Sequence, residues 1–171
     1  MTAKQIRVVP YDPQWPRNFE AIRKEIQEIL GELAVAVHHV GSTSVPGMSA
    51  KPIIDLDVEI PNRFVFPEVC DLLAAAGYQH EGDLGIRDRE AFRYEGKNHL
   101  QKHHLYVCPR DSRELHRHLT FRNYLRTHPE AAREYSRVKE AAARKHPDSI
   151  EGYMSFKNDC IAALYQKCGL Y

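Results

Sequence analysis

No stretch of this chain approaches the roughly 20 consecutive apolar residues that a membrane-spanning helix needs, and no repeat or low-complexity tract interrupts it. The opening MTAKQIRVVPYDPQW has no apolar core of the kind a secretory leader carries. Cysteine is sparse: Cys70, Cys108, Cys160 and Cys168 lie far apart with no Cys-x-x-Cys pair, which points to free thiols in a reducing compartment. An excess of one charge is also missing. With 24 Lys and Arg against 23 Asp and Glu, the formal net charge is +1. That balance excludes a disordered acidic tail and leaves no broad basic field, nor a basic stripe interleaved with aromatics, for nucleic acid. The expectation is a soluble, cytoplasmic chain with no membrane and no nucleic-acid partner. At 171 residues it is long enough to bury a proper core in one domain spanning the whole sequence.

What is present alternates between helix and strand. YDPQWPRNFEAIRKEIQEILG keeps Phe19, Ile22, Ile26, Ile29 and Leu33 at helical spacing. Its cap is either Asp12, with Pro13 just inside, or a residue between Gln14 and Pro16. AVAVHHV reads as a short buried strand, and IIDLDVEI as an alternating one. PEVCDLLAAAGY is a helix ending at Gly77. Further strands are expected at 78–81, 91–95 and 102–108, with a mobile Gly- and charge-rich connection, EGDLGIRDRE, between the first two. From about residue 111 the chain turns helical in three segments, with Pro129 and Pro147 near helix starts. The fold class is therefore α/β or α+β. The helical third reads as scaffold, and its His116, His118 and His128 as surface residues.

The chemistry concentrates in HHVGSTSVPGMSAKPIIDLDVEI, residues 38–60. In the strand, Ile54, Leu56, Val58 and Ile60 share one face, and Ile53, Asp55, Asp57 and Glu59 the other. Two carboxylates about 6.6–6.8 Å apart along one strand face repel unless a cation lies between them. Two acids completed by water and phosphate oxygens suit Mg²⁺. Just upstream, Gly41 and Gly47 allow a close backbone approach to an anion. Ser42, Thr43 and Ser44 add hydroxyls there, and Lys51 a positive charge. A tight turn with self-capped hydroxyls would use the same residue types. The acid pair that follows favours a phosphate loop. His38 and His39 precede it, and alternation leaves open which of them faces the site.

Gly-Ser followed about a dozen residues later by Asp-x-Asp on a strand resembles the nucleotidyltransferase superfamily, the polymerase β-like fold. The fuller string HVGSTSVPGMSAKPIIDLDV is similar to the GrpB family within it, as are VPYDPQWPRNFE, KHHLYVC, HLTFRNYLRTHPEAAREYSRVK and YMSFKNDCI, so the likeness covers about residues 7–166. The resemblance implies a mixed sheet flanked by helices with a helical C-terminal segment. It also implies Mg²⁺- or Mn²⁺-dependent transfer of a nucleotidyl group from a nucleoside triphosphate to an unknown acceptor. On this reading Asp55 and Asp57 hold the metal, and Gly41, Ser42, Thr43, Ser44 and Lys51 hold phosphate. Arg93, in a group with Arg87 and Arg89, and Lys157, on a helix that related transferases bring against the triphosphate, complete the phosphate set. One departure stands out: the superfamily's third acid is replaced on the KHHLYVC strand by His103 and His104. Leu105 and Val107 read as core, so His104 is the site-facing residue and serves as metal ligand or general base. Glu90 and Glu95 are the alternative acids. Some GrpB relatives are joined to dephospho-coenzyme A kinase, which gives a second expectation: an inactive nucleotide- or metabolite-binding module accessory to coenzyme A metabolism.

Overall fold

The strand that carries the acid pair lies in the interior of a five-stranded sheet. In the computed structural model, which describes residues 5–170, the chain runs through α1 (Trp15–Leu30), β1 (Ala36–Val40), β2 (Ile54–Ile60), α2 (Phe66–Ala75), β3 (Gln79–Gly82), β4 (Glu90–Arg93), β5 (His103–Pro109), α3 (Arg113–Thr127), α4 (Pro129–Lys145) and α5 (Ile150–Lys167). The sheet order is β1-β2-β5-β4-β3. Only β2 and β5 pair in parallel, and the other neighbours are antiparallel. This is the mixed α/β architecture expected from the alternating pattern.

The period-two alternation of β2 decides which way the sheet faces. Ile54, Leu56, Val58 and Ile60 are buried against Phe19, Ile22 and Ile26 of α1 and Val69 and Leu73 of α2. Burying each such side chain contributes roughly 1.5–3 kcal/mol, so a one-residue slip of β2 would expose the whole row and bury the acids. Helix α1 begins at the later of the two expected starts: Gln14 is its cap, and Pro16 lies in its first turn, where a missing N–H costs nothing. Asp12 instead accepts a hydrogen bond from the Gln14 N–H at 2.8 Å.

A second apolar cluster holds the loop between β1 and β2. Val45 and Met48 of that loop are buried among Leu125, Ala131, Tyr135 and Leu164 of the helical third. Polar contacts fasten it further. Arg122 Nη1 donates to the His39 carbonyl at 3.0 Å, and Arg126 Nε to the Ser44 carbonyl at 2.9 Å. Ser49 Oγ donates to Glu140 Oε1 at 2.6 Å. The C-terminal helices thus position the glycine-serine loop over the acid face of the sheet. Among the described residues, no helix is long and apolar enough to cross a membrane.

Candidate active site

Strand register brings the site together. In the parallel pairing, Asp55 is opposite His104 and Asp57 opposite Tyr106, while β1 places Val40 opposite Asp55 and His38 opposite Asp57. His104 Nδ1 lies 2.9 Å from Asp55 Oδ1. The Gly41-Ser42 turn closes over the same carboxylate: a Cβ on Gly41 would overlap Asp55 Oδ2, and Gly41 has φ +73°. Only glycine fits both demands at once.

A cavity of ≈ 280 Å³ opens here between the sheet and the C-terminal helices. Of the expected site residues, Gly41, Ser42, Thr43, Lys51, Asp55, His104 and Lys157 line it. Ser44 does not. Its hydroxyl turns back to the Gly41 carbonyl, as a self-capping group of a turn does, and the Thr43 hydroxyl is hydrogen-bonded to the His39 ring at Nε2, 2.9 Å away. Arg93 lies outside the cavity, with its Nε donating to Gln79 Oε1 at 3.0 Å. Its neighbour Arg89 lines the cavity instead, with its guanidinium 4.3 Å from the Tyr106 ring centroid.

The acid pair is not symmetric. Asp55 faces the cavity, whereas Asp57 is fully buried behind it (0% exposed). Asp57 Oδ2 accepts from His118 Nδ1 at 2.6 Å, and His118 Nε2 donates to Glu114 Oε1 at 3.1 Å. Burial opposes the charge on this imidazole, but the hydrogen bonds to Asp57 and Glu114 outweigh it and raise its pKa to about 9. These two hydrogen bonds favour the charged imidazolium at neutral pH. The hydrogen bond from His118 likewise holds Glu114 below the ordinary carboxylate range. His118 lines the cavity and is mostly buried, which corrects its reading as a surface residue. The signal available in the sequence was a Glu at i and a His at i+4 on one helix face.

Three lysines, Lys51, Lys139 and Lys157, line the same cavity as Asp55. Lys51 and Lys157 place Nζ 5.2 and 4.9 Å from the Tyr153 ring centroid. Lys139 is only 2% exposed, and its Nζ donates to the Ser49 carbonyl. Burial and the neighbouring Lys157 lower the Lys139 pKa to about 7, and burial and Lys51 lower that of Lys157 to about 8. Nothing in the sequence singles out Lys139, since a lysine within an amphipathic helix looks solvated.

The remaining histidines separate. His39 packs on Phe19 with ring centroids 4.5 Å apart, and burial followed by the nearby Arg126 lowers its pKa to about 4. His38 is the one on the acid face, but it pairs with Glu59 at 3.0 Å. His103 is a core residue bonded to the Tyr78 hydroxyl at 2.8 Å.

The fit of a divalent cation can be tested on the acids themselves. Asp57 Oδ1 is buried without a hydrogen-bond partner, the kind of orphaned oxygen a cation would satisfy. Among the described residues, no group of three or more His, Cys, Asp or Glu is placed to hold a metal. The acids would thus supply part of a coordination sphere, with phosphate and water oxygens supplying the rest, as Mg²⁺ favours.

This arrangement, a mixed sheet with an acid pair beside a glycine-serine turn, has the nucleotidyltransferase-like fold. The structure of the GLD-2/RNP-8 complex matches with a TM-score of 0.61 at 12% identity, covering 94% of this chain and 62% of that one. The Cid1 poly(U) polymerase with MgGTP bound matches at 0.53 and 10%, covering 79% and 44%. At such identities the likeness is one of fold. More specifically, residues 5–167 match the family described as GrpB protein, and the chain belongs to that family. The conserved protein GrpB from Enterococcus faecalis has a TM-score of 0.80 at 35% identity, covering 94% of this chain and 98% of that chain. UPF0157 protein YqkA of Bacillus subtilis is 34% identical over 92% of this chain, and UPF0157 protein PA4798 of Pseudomonas aeruginosa 36% over 94%. The chain spans only 46% and 66% of the lengths of those two relatives. A dephospho-CoA kinase of Mycolicibacterium paratuberculosis is 26% identical over 95% of this chain and 46% of its own length.

Proposed function

We propose that this chain is a metal-dependent nucleotidyltransferase that binds a nucleoside triphosphate in the cavity and passes its nucleotidyl group to an acceptor. The observation that carries this reading is the meeting, in one cavity, of Asp55, the Gly41-Ser42 turn and the lysines of α4 and α5. Asp55 and the free oxygen of Asp57 would hold Mg²⁺ or Mn²⁺, which when bound shields charge on the phosphates and the leaving group. Lys51, Lys139 and Lys157 hold the phosphate chain in place. With its Nδ1–H donated to Asp55, His104 has Nε2 left to take the proton of the attacking hydroxyl, in place of a third acid. The acceptor oxygen then bonds to the α-phosphorus as the bond to the bridging oxygen breaks and pyrophosphate departs. Ser44 and Arg93 have no part in this reading.

The test is pyrophosphate release from each of the four nucleoside triphosphates with Mg²⁺ or Mn²⁺, with a deproteinised cell extract supplying acceptors. Release that disappears in Asp55→Ala is the expected result. Triphosphate binding with no pyrophosphate from any donor would replace the transferase by the second reading, a binding module. The dephospho-CoA kinase relative favours a place beside coenzyme A metabolism for such a module. Inorganic phosphate in place of pyrophosphate would identify a phosphohydrolase.

A further inference from the structure

What the cavity lacks is as informative as what lines it. Adenine or uracil is usually recognised by an open aromatic face or by a side-chain amide that reads its edge. Among the described residues, no Asn or Gln lines the cavity, its imidazoles, His104 and His118, are bonded to Asp55 and to Asp57 and Glu114, and its two phenol rings belong to Tyr106 and Tyr153. Both are covered by cations. Arg89 lies over Tyr106, and Lys51 and Lys157 both lie over Tyr153, which is 1% exposed. The volume of ≈ 280 Å³ is also below the roughly 300–1,000 Å³ of sites that engulf a drug-sized ligand.

The charge points to one chemistry. Lys51, Lys139, Lys157, Arg89 and His118 line the cavity, while Asp55 is its sole carboxylate among the described residues. These cations are only partly compensated. Arg89 Nε is buried with no acceptor, and burial first, then the neighbouring amine, lowers the pKa of Lys139 to about 7 and that of Lys157 to about 8. An anion with oxygens spread over several ångströms would give Arg89 and the lysines a charged partner.

We propose that this cavity recognises its ligand through a linear triphosphate alone, leaving the sugar and base of a nucleotide outside, so that the donor base is not discriminated. This rests on the nucleotidyltransferase reading and narrows it, naming the recognised group as the polyphosphate chain.

Calorimetric titration in Mg²⁺ tests it, with ATP, GTP, CTP, UTP, inorganic tripolyphosphate and adenosine as probes. The expected result is that the five triphosphates bind with dissociation constants within about three-fold of one another, a difference well under 1.4 kcal/mol, and that adenosine does not bind. Arg89→Ala and Lys139→Met should each weaken all five by roughly ten-fold or more, the effect of a lost charge-assisted contact. Thermal unfolding of the unliganded variants confirms that they are folded. One nucleotide binding at least about ten-fold tighter than the rest, or ATP binding where tripolyphosphate does not, would overturn the inference while leaving nucleotidyl transfer standing. Tripolyphosphate binding that both variants retain in full would place the anion elsewhere and overturn it too. No binding by any triphosphate would remove both this inference and the function it rests on.

Discussion

His118 bridges two carboxylates, donating from Nδ1 to Asp57 at 2.6 Å and from Nε2 to Glu114 at 3.1 Å. The buried member of the β2 acid pair therefore has a resident counter-ion supplied by α3, while the other, Asp55, faces the cavity. This splits the pair: Asp57 is tied to α3 through Oδ2, with Oδ1 left free, and Asp55 opens to the cavity.

Replacing the two acids should accordingly have different consequences. Asp57→Ala leaves a buried imidazolium facing Glu114 alone, and breaking a buried pair by deleting one partner costs about 3–5 kcal/mol. Asp55 is partly exposed and bonded to the half-exposed His104, so Asp55→Ala should change stability by no more than about 1 kcal/mol. Urea denaturation of the two variants measures the difference. Equal losses would contradict the assignment.

The His118 pair also has a pH signature. A pKa raised from 6.5 to about 9 in the folded chain stabilises the fold fully below pH 6.5, and that contribution is lost as pH rises through about 9. Lys139, with its lowered pKa, contributes an opposite slope over part of the same range, so the comparison must be with a variant. The stability difference between wild type and His118→Gln should be on the order of 3 kcal/mol larger at pH 6.5 than above pH 9. Denaturation at several pH values gives the curve, and a flat difference would rule out a charged His118.

Two glycines of the loop separate strain from steric overlap. Gly41 and Gly47 both have positive φ, +73° and +83°, but only at Gly41 would a Cβ meet a neighbour, the Asp55 carboxylate. Gly47→Ala should lose about 1–2 kcal/mol from backbone strain alone. Gly41→Ala should lose more, and should also abolish triphosphate binding by displacing Asp55. Denaturation and calorimetry on both variants decide the point, and intact binding in Gly41→Ala would contradict it.

Burial disfavours the charge on Lys139. Its burial beside Lys157 means that Lys139→Met, similar in size and apolar, should stabilise the unliganded protein by about 1–3 kcal/mol, roughly 2–12 °C in Tm. The same substitution should weaken triphosphate binding, the trade-off expected of a functional residue. A less stable variant would indicate that the bond to the Ser49 carbonyl outweighs desolvation.

Much of this site was legible because it is local. The alternation of Ile54, Leu56, Val58 and Ile60 assigned Asp55 and Asp57 to one face, and Leu105 and Val107 did the same for His104. The two strands then paired in register and brought His104 to Asp55. What escaped is non-local. His118 lies 61 residues beyond Asp57 in sequence, and nothing in α3 itself says which carboxylate it will meet. Lys139 reached the cavity because α4 packs against the loop through Ser136 and Ser49, a contact that helical periodicity does not encode. The choice of Arg93 over Arg89 turned on β3. Arg93 sits opposite Gln79 in that pairing and is bonded to it, whereas Arg89, just before β4, folds over Tyr106.

On the proposed reading, Asp55 and its surrounding cations form a metal-assisted triphosphate site. Thermal unfolding with ATP, with and without Mg²⁺, in wild type and Asp55→Asn tests it most directly. At about 100 times its dissociation constant, a ligand specific to the folded state stabilises by about 2.7 kcal/mol, a shift of roughly 5–11 °C for a chain of this size. The account requires that shift in wild type, dependent on Mg²⁺ and lost in the variant. No shift in wild type, or the same shift in Asp55→Asn, would contradict it.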